Sequence, residues 1–199
     1  MKRSLQSCID ESEGDAPTCQ DPAVETNVQL FFSRSRKEDN AGVRVEDWKK
    51  KLSNFWPQRI NINGKEYPSV EHAFQAAKAL CSNKPELALQ FECGGSVGDS
   101  PQAAKRAGGK TAFKIQGAEL DASKWESTRD HEMIAALVAR TKVDKEYVEI
   151  LRRSKELGIY LLHFERQGKR SYWGGAIGAG GIVGENRLGK MLMSLRDNV

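Results

Sequence analysis

The chain has 199 residues, 39% of them hydrophobic and 29% charged, with a net charge of +4. That length and mix suit one ordinary globular domain plus an additional segment. No stretch is apolar for long enough to span a bilayer, and no apolar run follows Lys2-Arg3 to serve as a signal peptide, so a cytoplasmic or nuclear protein without membrane contact is expected.

Residues 1–26 supply the additional segment. They carry Asp10, Glu11, Glu13, Asp15, Asp21 and Glu25 against Lys2 and Arg3, with almost no large apolar side chains. Such a composition predicts a disordered acidic tail ahead of a domain over residues 27–199. The domain holds 29 basic and 21 acidic residues. A basic balance of that kind favours phosphate-bearing partners. Cys8, Cys19, Cys81 and Cys93 have neither CxxC spacing nor a histidine cluster nearby, so they read as free thiols rather than a zinc site or a disulfide framework.

The elements follow in chain order. Leu30, Phe31 and Phe32 mark a short first strand over 29–33, then a polar loop leads to a helix over 43–52 with Trp48 on one side. Ile60 and Ile62 alternate ahead of Asn63-Gly64, which predicts a β-hairpin. Pro68 disfavours helix at Tyr67 and Ser69 is a good N-cap, so the next helix starts at Val70 and runs to Leu80.

At about 100° per residue, Val70, Ala73, Ala77 and Leu80 form an apolar stripe on that helix, with Glu71, Phe74, Gln75 and Lys78 on the face beside it. Glu71 and Lys78 are two turns apart. Helix pattern alone leaves two readings of this pair. Charged faces usually mean solvation or a structural ion pair. A carboxylate and an amine held at the edge of a core stripe are, alternatively, partly desolvated and have pKa values moved toward neutrality.

Beyond this helix, 85–93 predicts another, stopped by Gly94-Gly95, and Ser100-Pro101 opens a third that Gly108-Gly109 ends. Gly108-Gly-Lys110 places backbone N–H groups beside cations, which suits a pyrophosphate, although glycines also end many ordinary helices. Ser123-Lys-Trp-Glu126 fits a capping box for a helix reaching about Arg140, with Trp125, Arg129 and Met133 one turn apart on one face. Asp144 caps a further helix that Gly158 ends, and 159–165 is an apolar strand. Six glycines between Gly174 and Gly184 suggest a mobile or close-approach loop feeding a final helix capped by Asn186, a natural anion site. The Rossmann, P-loop and kinase spacings are all missing.

Several of these segments, taken together and in order, resemble the NADAR (NAD- and ADP-ribose-associated, YbiA-like) family. The matching pieces are Leu52-Ser-Asn-Phe-Trp-Pro57, Tyr67-Pro-Ser-Val-Glu-His-Ala-Phe-Gln-Ala-Ala-Lys78, Ser100-Pro101 with Ala103-Ala-Lys-Arg-Ala-Gly108, Trp125 with Arg129 and Met133, Tyr172-Trp-Gly174, and Asn186-Arg-Leu-Gly-Lys-Met-Leu-Met193 through Arg196. They cover the chain from about Phe31 to its end. The resemblance implies a mainly helical α+β domain with a small β-ribbon or sheet, and N-glycosidase chemistry on ribosyl–nitrogen bonds. It also makes Glu71 and Lys78 the favoured catalytic pair. One departure is the basic run Gln167-Gly-Lys-Arg-Ser171, where family members often carry an acidic residue; a basic rim favours a phosphate-rich or nucleic-acid substrate.

Breaking a ribosyl–nitrogen bond develops positive charge at C1 and the ring oxygen, so a carboxylate near the sugar and a proton source for the leaving base are required. Glu71 fits the first role or can activate water, while Lys78 can donate the proton or attack C1 as a neutral amine. The implied substrate-binding set is Asn54, Phe55, Trp125, Arg129, Trp173, Gly174, Asn186 and Lys110. Trp125 and Trp173 are candidates to sandwich a ribose or base, with core packing the competing reading for each. Asn54 and Asn186 suit hydroxyls or phosphate; Arg129, Lys110 and the amides of residues 184–186 suit phosphate. Water suffices as nucleophile, and nothing calls for a metal or a cofactor.

Three functions follow as expectations. One is removal of ADP-ribose from guanine in DNA, RNA or nucleoside form, by a monomer with nucleic acid as a possible partner. Another is cleavage of phosphoribosylamino-pyrimidine intermediates of riboflavin synthesis. A third is an ADP-ribose or NAD reader without catalysis, which would have no use for a poised carboxylate and amine.

Overall fold

A computed structural model describes residues 27–32, 34–35, 41–166 and 168–199. The expected acidic tail, with Cys8 and Cys19, lies outside the described residues. Among the described residues the fold is α+β and mainly helical, with three two-stranded sheets. In chain order the elements are β1 (Val28–Phe31), α1 (Trp48–Lys51), β2 (Ile60–Ile62), β3 (Lys65–Tyr67), α2 (Val70–Leu80), a 3-10 helix (Pro85–Phe91), α3 (Pro101–Ala107) and α4 (Lys110–Ile115). They continue through α5 (Ala122–Thr141), α6 (Lys145–Glu156), β4 (Tyr160–His163), β5 (Ala176–Gly178), β6 (Gly181–Val183) and α7 (Arg187–Arg196).

Helix α2 lies between α5 on one side and α3 with the 3-10 helix on the other. It begins at Val70, where the Ser69 side chain accepts the His72 backbone N–H, satisfying one of the four amides that a helix start leaves without partners. His72 is fully buried; its ring bonds to Ser69 Oγ at 2.8 Å and to the Gly98 carbonyl at 2.9 Å. This ties the loop before α3 onto α2. Packing against three elements also corrects the expected apolar stripe. Leu80 is 46% exposed, whereas Glu71, His72 and Gln75 are buried with Phe74 and Ala76. A stripe rule assumes one covered face, and α2 has several.

Strand β1 pairs in parallel with β4, Phe31 opposite His163, and α7 packs on β4 and α6. The hairpin β2–β3 turns through Asn63 and Gly64, whose φ angles of 53° and 83° are both left-handed, as the tight two-residue turn requires. Four further expectations need correction. Only Trp48–Lys51 is helical within 43–52. Residues Pro85–Phe91 wind as a 3-10 helix. Helix α5 is capped by Asp121, whose side chain accepts the Lys124 N–H, and not by Ser123. The glycine-rich stretch forms the antiparallel hairpin β5–β6, because ladder bonds are available to glycine backbone as to any other. Cys81 and Cys93 are free thiols.

The core joins Phe31, Leu52, Phe91, Leu137, Ile150 and Leu161, all fully buried or nearly so. Arg140 is buried among them at 1% exposure. Its guanidinium donates to Asp144 Oδ2 through Nε (3.0 Å) and Nη2 (2.9 Å), and through Nη1 to the Ser53 carbonyl at 3.2 Å. The Asn54 carbonyl in turn accepts the Glu71 N–H at 3.1 Å. A buried ion pair between α5 and the start of α6, with two guanidinium N–H groups on one carboxylate oxygen, therefore fixes the loop that holds the N-terminus of α2.

Candidate active site

A cleft of about 600 Å³ opens over α2, a size that suits a nucleotide-like ligand. Glu71, Phe74, Gln75 and Lys78 form its floor. Trp125, Arg129 and Met133 from α5 form one wall, Ser53, Asn54 and Phe55 a second, and His163 through Arg166 with Trp173 the third. Lys105 reaches in from α3, and Phe32 and Arg34 stand in the same lining.

Glu71 and Lys78 both face this space, yet they do not pair with each other. Glu71 Oε1 accepts from Gln75 Nε2 at 2.9 Å, and Lys78 Nζ donates to the Gly108 carbonyl at 2.8 Å. Burial pushes the Glu71 carboxyl above the usual carboxylate range, although the Gln75 hydrogen bond and the charges of Lys105 and Lys78 pull the other way. Burial likewise draws the Lys78 amine below the ordinary lysine value, and the charge of Glu71 only partly opposes it. The two groups are thus moved toward each other in pKa, which lowers the cost of moving a proton at either one. Gly108 makes room for this arrangement: a Cβ there would stand 1.9 Å from Gln75 Oε1.

Phe74 is the aromatic hinge of the cleft, 5.0 Å from Trp125 and edge-on to Trp173 at 5.3 Å between ring centroids. Both tryptophans therefore pack in the wall while also lining the space. Four buried polar atoms of lining residues have no hydrogen-bond partner: Asn54 Oδ1, Gln75 Oε1, Arg129 Nε and His163 Nδ1. Buried polar groups are nearly always satisfied, so a concentration of exceptions in one cleft points to a polar ligand. His163 is held below its usual pKa chiefly by burial, with Glu165 opposing. The Ser171 hydroxyl donates to the Glu165 carboxylate.

Arg129 is held from behind. Its guanidinium lies 3.6 Å from the centroid of the Tyr172 ring, and the Tyr172 hydroxyl donates to Asp130 Oδ1 at 2.6 Å. Arg187 Nη1 donates to the other oxygen of Asp130 at 2.8 Å. Replacing Tyr172 by Leu should raise KM about tenfold with little change in kcat, because roughly 1–2 kcal/mol of cation–π contact orients Arg129 before substrate arrives. Steady-state kinetics check this, and Tyr172→Phe, which keeps the ring, should restore most of the affinity.

The NADAR domain model matches residues 34–199. The chain belongs to the NADAR family. Two curated relatives are each 31% identical over 150 residues, covering 74% of this chain and 80% of the relative: the N-glycosidase YbiA of Escherichia coli strain K12 and that of Shigella boydii serotype 4. The NMR structure of the E. coli protein YbiA has a TM-score of 0.60 at 27% identity, covering 88% of this chain and 86% of that one. At this level the activity is that of a hydrolase of N-glycosyl bonds.

Within this NADAR cleft the structure brings together Glu71, Lys78, Asn54, Phe55, Trp125, Arg129 and Trp173. Three expected ligand residues lie elsewhere. Lys110 is the exposed first residue of α4, outside the lining. Gly174 is buried behind it, where a Cβ would meet the His163 carbonyl and Glu165 Cγ at 2.7 Å. Asn186 is fully buried, accepting the His163 N–H at 3.0 Å and donating to the Leu161 carbonyl at 2.9 Å. The expected anion site at the start of α7 is also taken, since the Asn186 N–H donates to the Gly174 carbonyl. Asn186→Ala should lower stability by about 2 to 4 kcal/mol, because it strands two buried backbone groups. Denaturant unfolding measures this; unchanged stability with a raised KM would return Asn186 to a substrate role.

Lys105, His163, Glu165 and Arg166 line the cleft without having been picked out from sequence. A signal existed for two of them. His163 and Glu165 are two residues apart at the end of an apolar strand, hence on one face of it.

Proposed function

We propose that the protein hydrolyses the ribosyl–base bond of ADP-ribosylated guanine, releasing ADP-ribose from the base. The observation that carries this reading is the pairing of a desolvated amine and carboxyl with a ring of cations. Lys78 and Glu71 lie on the floor, and Arg34, Lys105, Arg129 and Arg166 line the same cleft. Four cations in one concave site suit a ligand with more than one negative charge, as in a pyrophosphate. Phe74, Trp125 and Trp173 supply apolar surface for a base or ribose.

In the proposed reaction the neutral Lys78 amine attacks C1, and the guanine nitrogen leaves with the bonding electron pair and takes up a proton. The lysine then holds the opened ribose as an imine, which water hydrolyses to return the amine and free ADP-ribose. Glu71 as carboxylate stabilises the positive charge at C1 in the first step and activates water in the second. Burial at Lys78 favours the neutral amine that this route needs, and the charge of Glu71 opposes it; trapping of the imine separates the nucleophile from a proton donor.

The test offers the protein, in parallel, ADP-ribosyl-guanosine and a 5-phosphoribosylamino-pyrimidine. Release of guanosine and ADP-ribose, with the pyrimidine untouched, is the expected result. Cleavage of the pyrimidine alone would overturn the guanine assignment, and binding of ADP-ribose without any cleavage would mark a reader.

A further inference from the structure

A second hollow, of about 730 Å³, runs beside the β5–β6 hairpin and shares Arg166 with the catalytic cleft. Arg166 and Arg170 supply its side-chain charge, and Gly178, Gly180 and their neighbours present mostly backbone. Arg34, Arg166 and Arg170 are all exposed, and none of the three makes an ion pair among the described residues. Exposed arginines on a continuous track are an electrostatic guide for a phosphate backbone. Glycine backbone next to them lets a strand approach closely.

Another large hollow, between α5 and α7, lacks this character. It contains Asp130 and Glu185 beside Arg187, and Arg187 bonds to both carboxylates, at 2.8 and 3.1 Å. Its charge is largely cancelled, and it shares no lining residue with the cleft.

We infer that the hollow along the β5–β6 hairpin binds the sugar–phosphate backbone of a single-stranded nucleic acid whose modified guanine occupies the cleft, with Arg166 at the junction and Arg170 on the flanking phosphates. This rests on the guanine reading of the cleft for its full meaning, since a lone nucleoside needs no such track. Recognition is through phosphates, so the surface tolerates any flanking sequence and its affinity falls steeply with salt.

The first arm measures fluorescence anisotropy of a labelled, unmodified single-stranded oligonucleotide of about twelve nucleotides. Arg166→Ala/Arg170→Ala should raise Kd at least about tenfold at low salt. It should also flatten the slope of log K against log salt by about 1.4, two phosphate contacts on a single strand. Lys110→Ala, the loss of an exposed cation outside both hollows, should change neither. Equal binding by the double variant, or an equal loss in Lys110→Ala, would overturn the track in favour of diffuse charge.

The second arm compares substrates. Arg170→Ala should lower kcat/KM about fivefold to tenfold on an ADP-ribosylated oligonucleotide and leave ADP-ribosyl-guanosine unaffected. Equal losses on both would place Arg170 in the cleft's own chemistry and overturn the inference. If the wild type cleaves neither substrate while the first arm behaves as expected, the guanine reading fails and the strand-binding surface stands.

Discussion

Lys78→Met should reduce turnover by roughly a thousandfold or more, the scale set by losing an activated nucleophile or proton-transfer group. The loss should come without loss of fold. Lys78 is half-buried, its amine donating to the Gly108 carbonyl and standing 5.5 Å from the Phe113 ring centroid, and methionine fills much the same volume without a charge to desolvate. Thermal unfolding of the variant should therefore match the wild type or exceed it. A sharper readout is chemical: borohydride added during turnover should reduce the imine and leave the opened sugar covalently on Lys78, located by peptide mass spectrometry. Retention of a tenth or more of the activity by Lys78→Met would remove the amine from the mechanism. Full loss of activity with no adduct in the trapped wild type would leave Lys78 as a proton donor only.

Glu71→Gln is the second large effect, with turnover expected to fall by roughly a hundredfold to ten-thousandfold. Glutamine keeps the shape and can still accept from Gln75, so what is lost is the charge facing C1. The pH profile carries the sign of both shifts. In the wild type, activity should rise as Glu71 deprotonates, at a pH above the usual carboxylate range because burial raises its pKa. It should rise again as Lys78 deprotonates, below the ordinary lysine value because burial lowers that pKa. The carboxylate of Glu71 holds the Lys78 pKa up, so Glu71→Gln should lose the first rise and move the second to lower pH. An alkaline fall in place of the second rise would mean that the protonated amine is the active form.

Much of the central helix was legible from residues 67–80 alone, because its start depends on local rules: Pro68 restricting Tyr67, and Ser69 capping the amide of His72. Asp144, Pro101 and Asn63-Gly64 announced their elements for the same reason. What sequence did not reveal is set by tertiary neighbours. The stripe rule placed Leu80 in the core and Glu71 at its edge, whereas the packing of three elements against α2 reverses the two. Arg140, in the last turn of α5 where basic residues are common on surfaces, is the buried tie between Asp144 and the Ser53 loop. Asn186 and the glycines before it suggested a phosphate site, but the amides there are spent on the Gly174 and Trp173 carbonyls. An acidic residue, Glu165, stands just upstream of the basic run Gln167-Gly-Lys-Arg-Ser171 and lines the cleft. Its place became visible only when the Phe164–Gly175 bridge folded Ser171 back onto it.

The most direct test of the account is mass spectrometry of an oligonucleotide carrying ADP-ribosyl-guanine after incubation with the wild type, Glu71→Gln and Lys78→Met. Unmodified oligonucleotide and free ADP-ribose are expected from the wild type alone. Equal release by either variant, or an intact modified strand with all three, would contradict it.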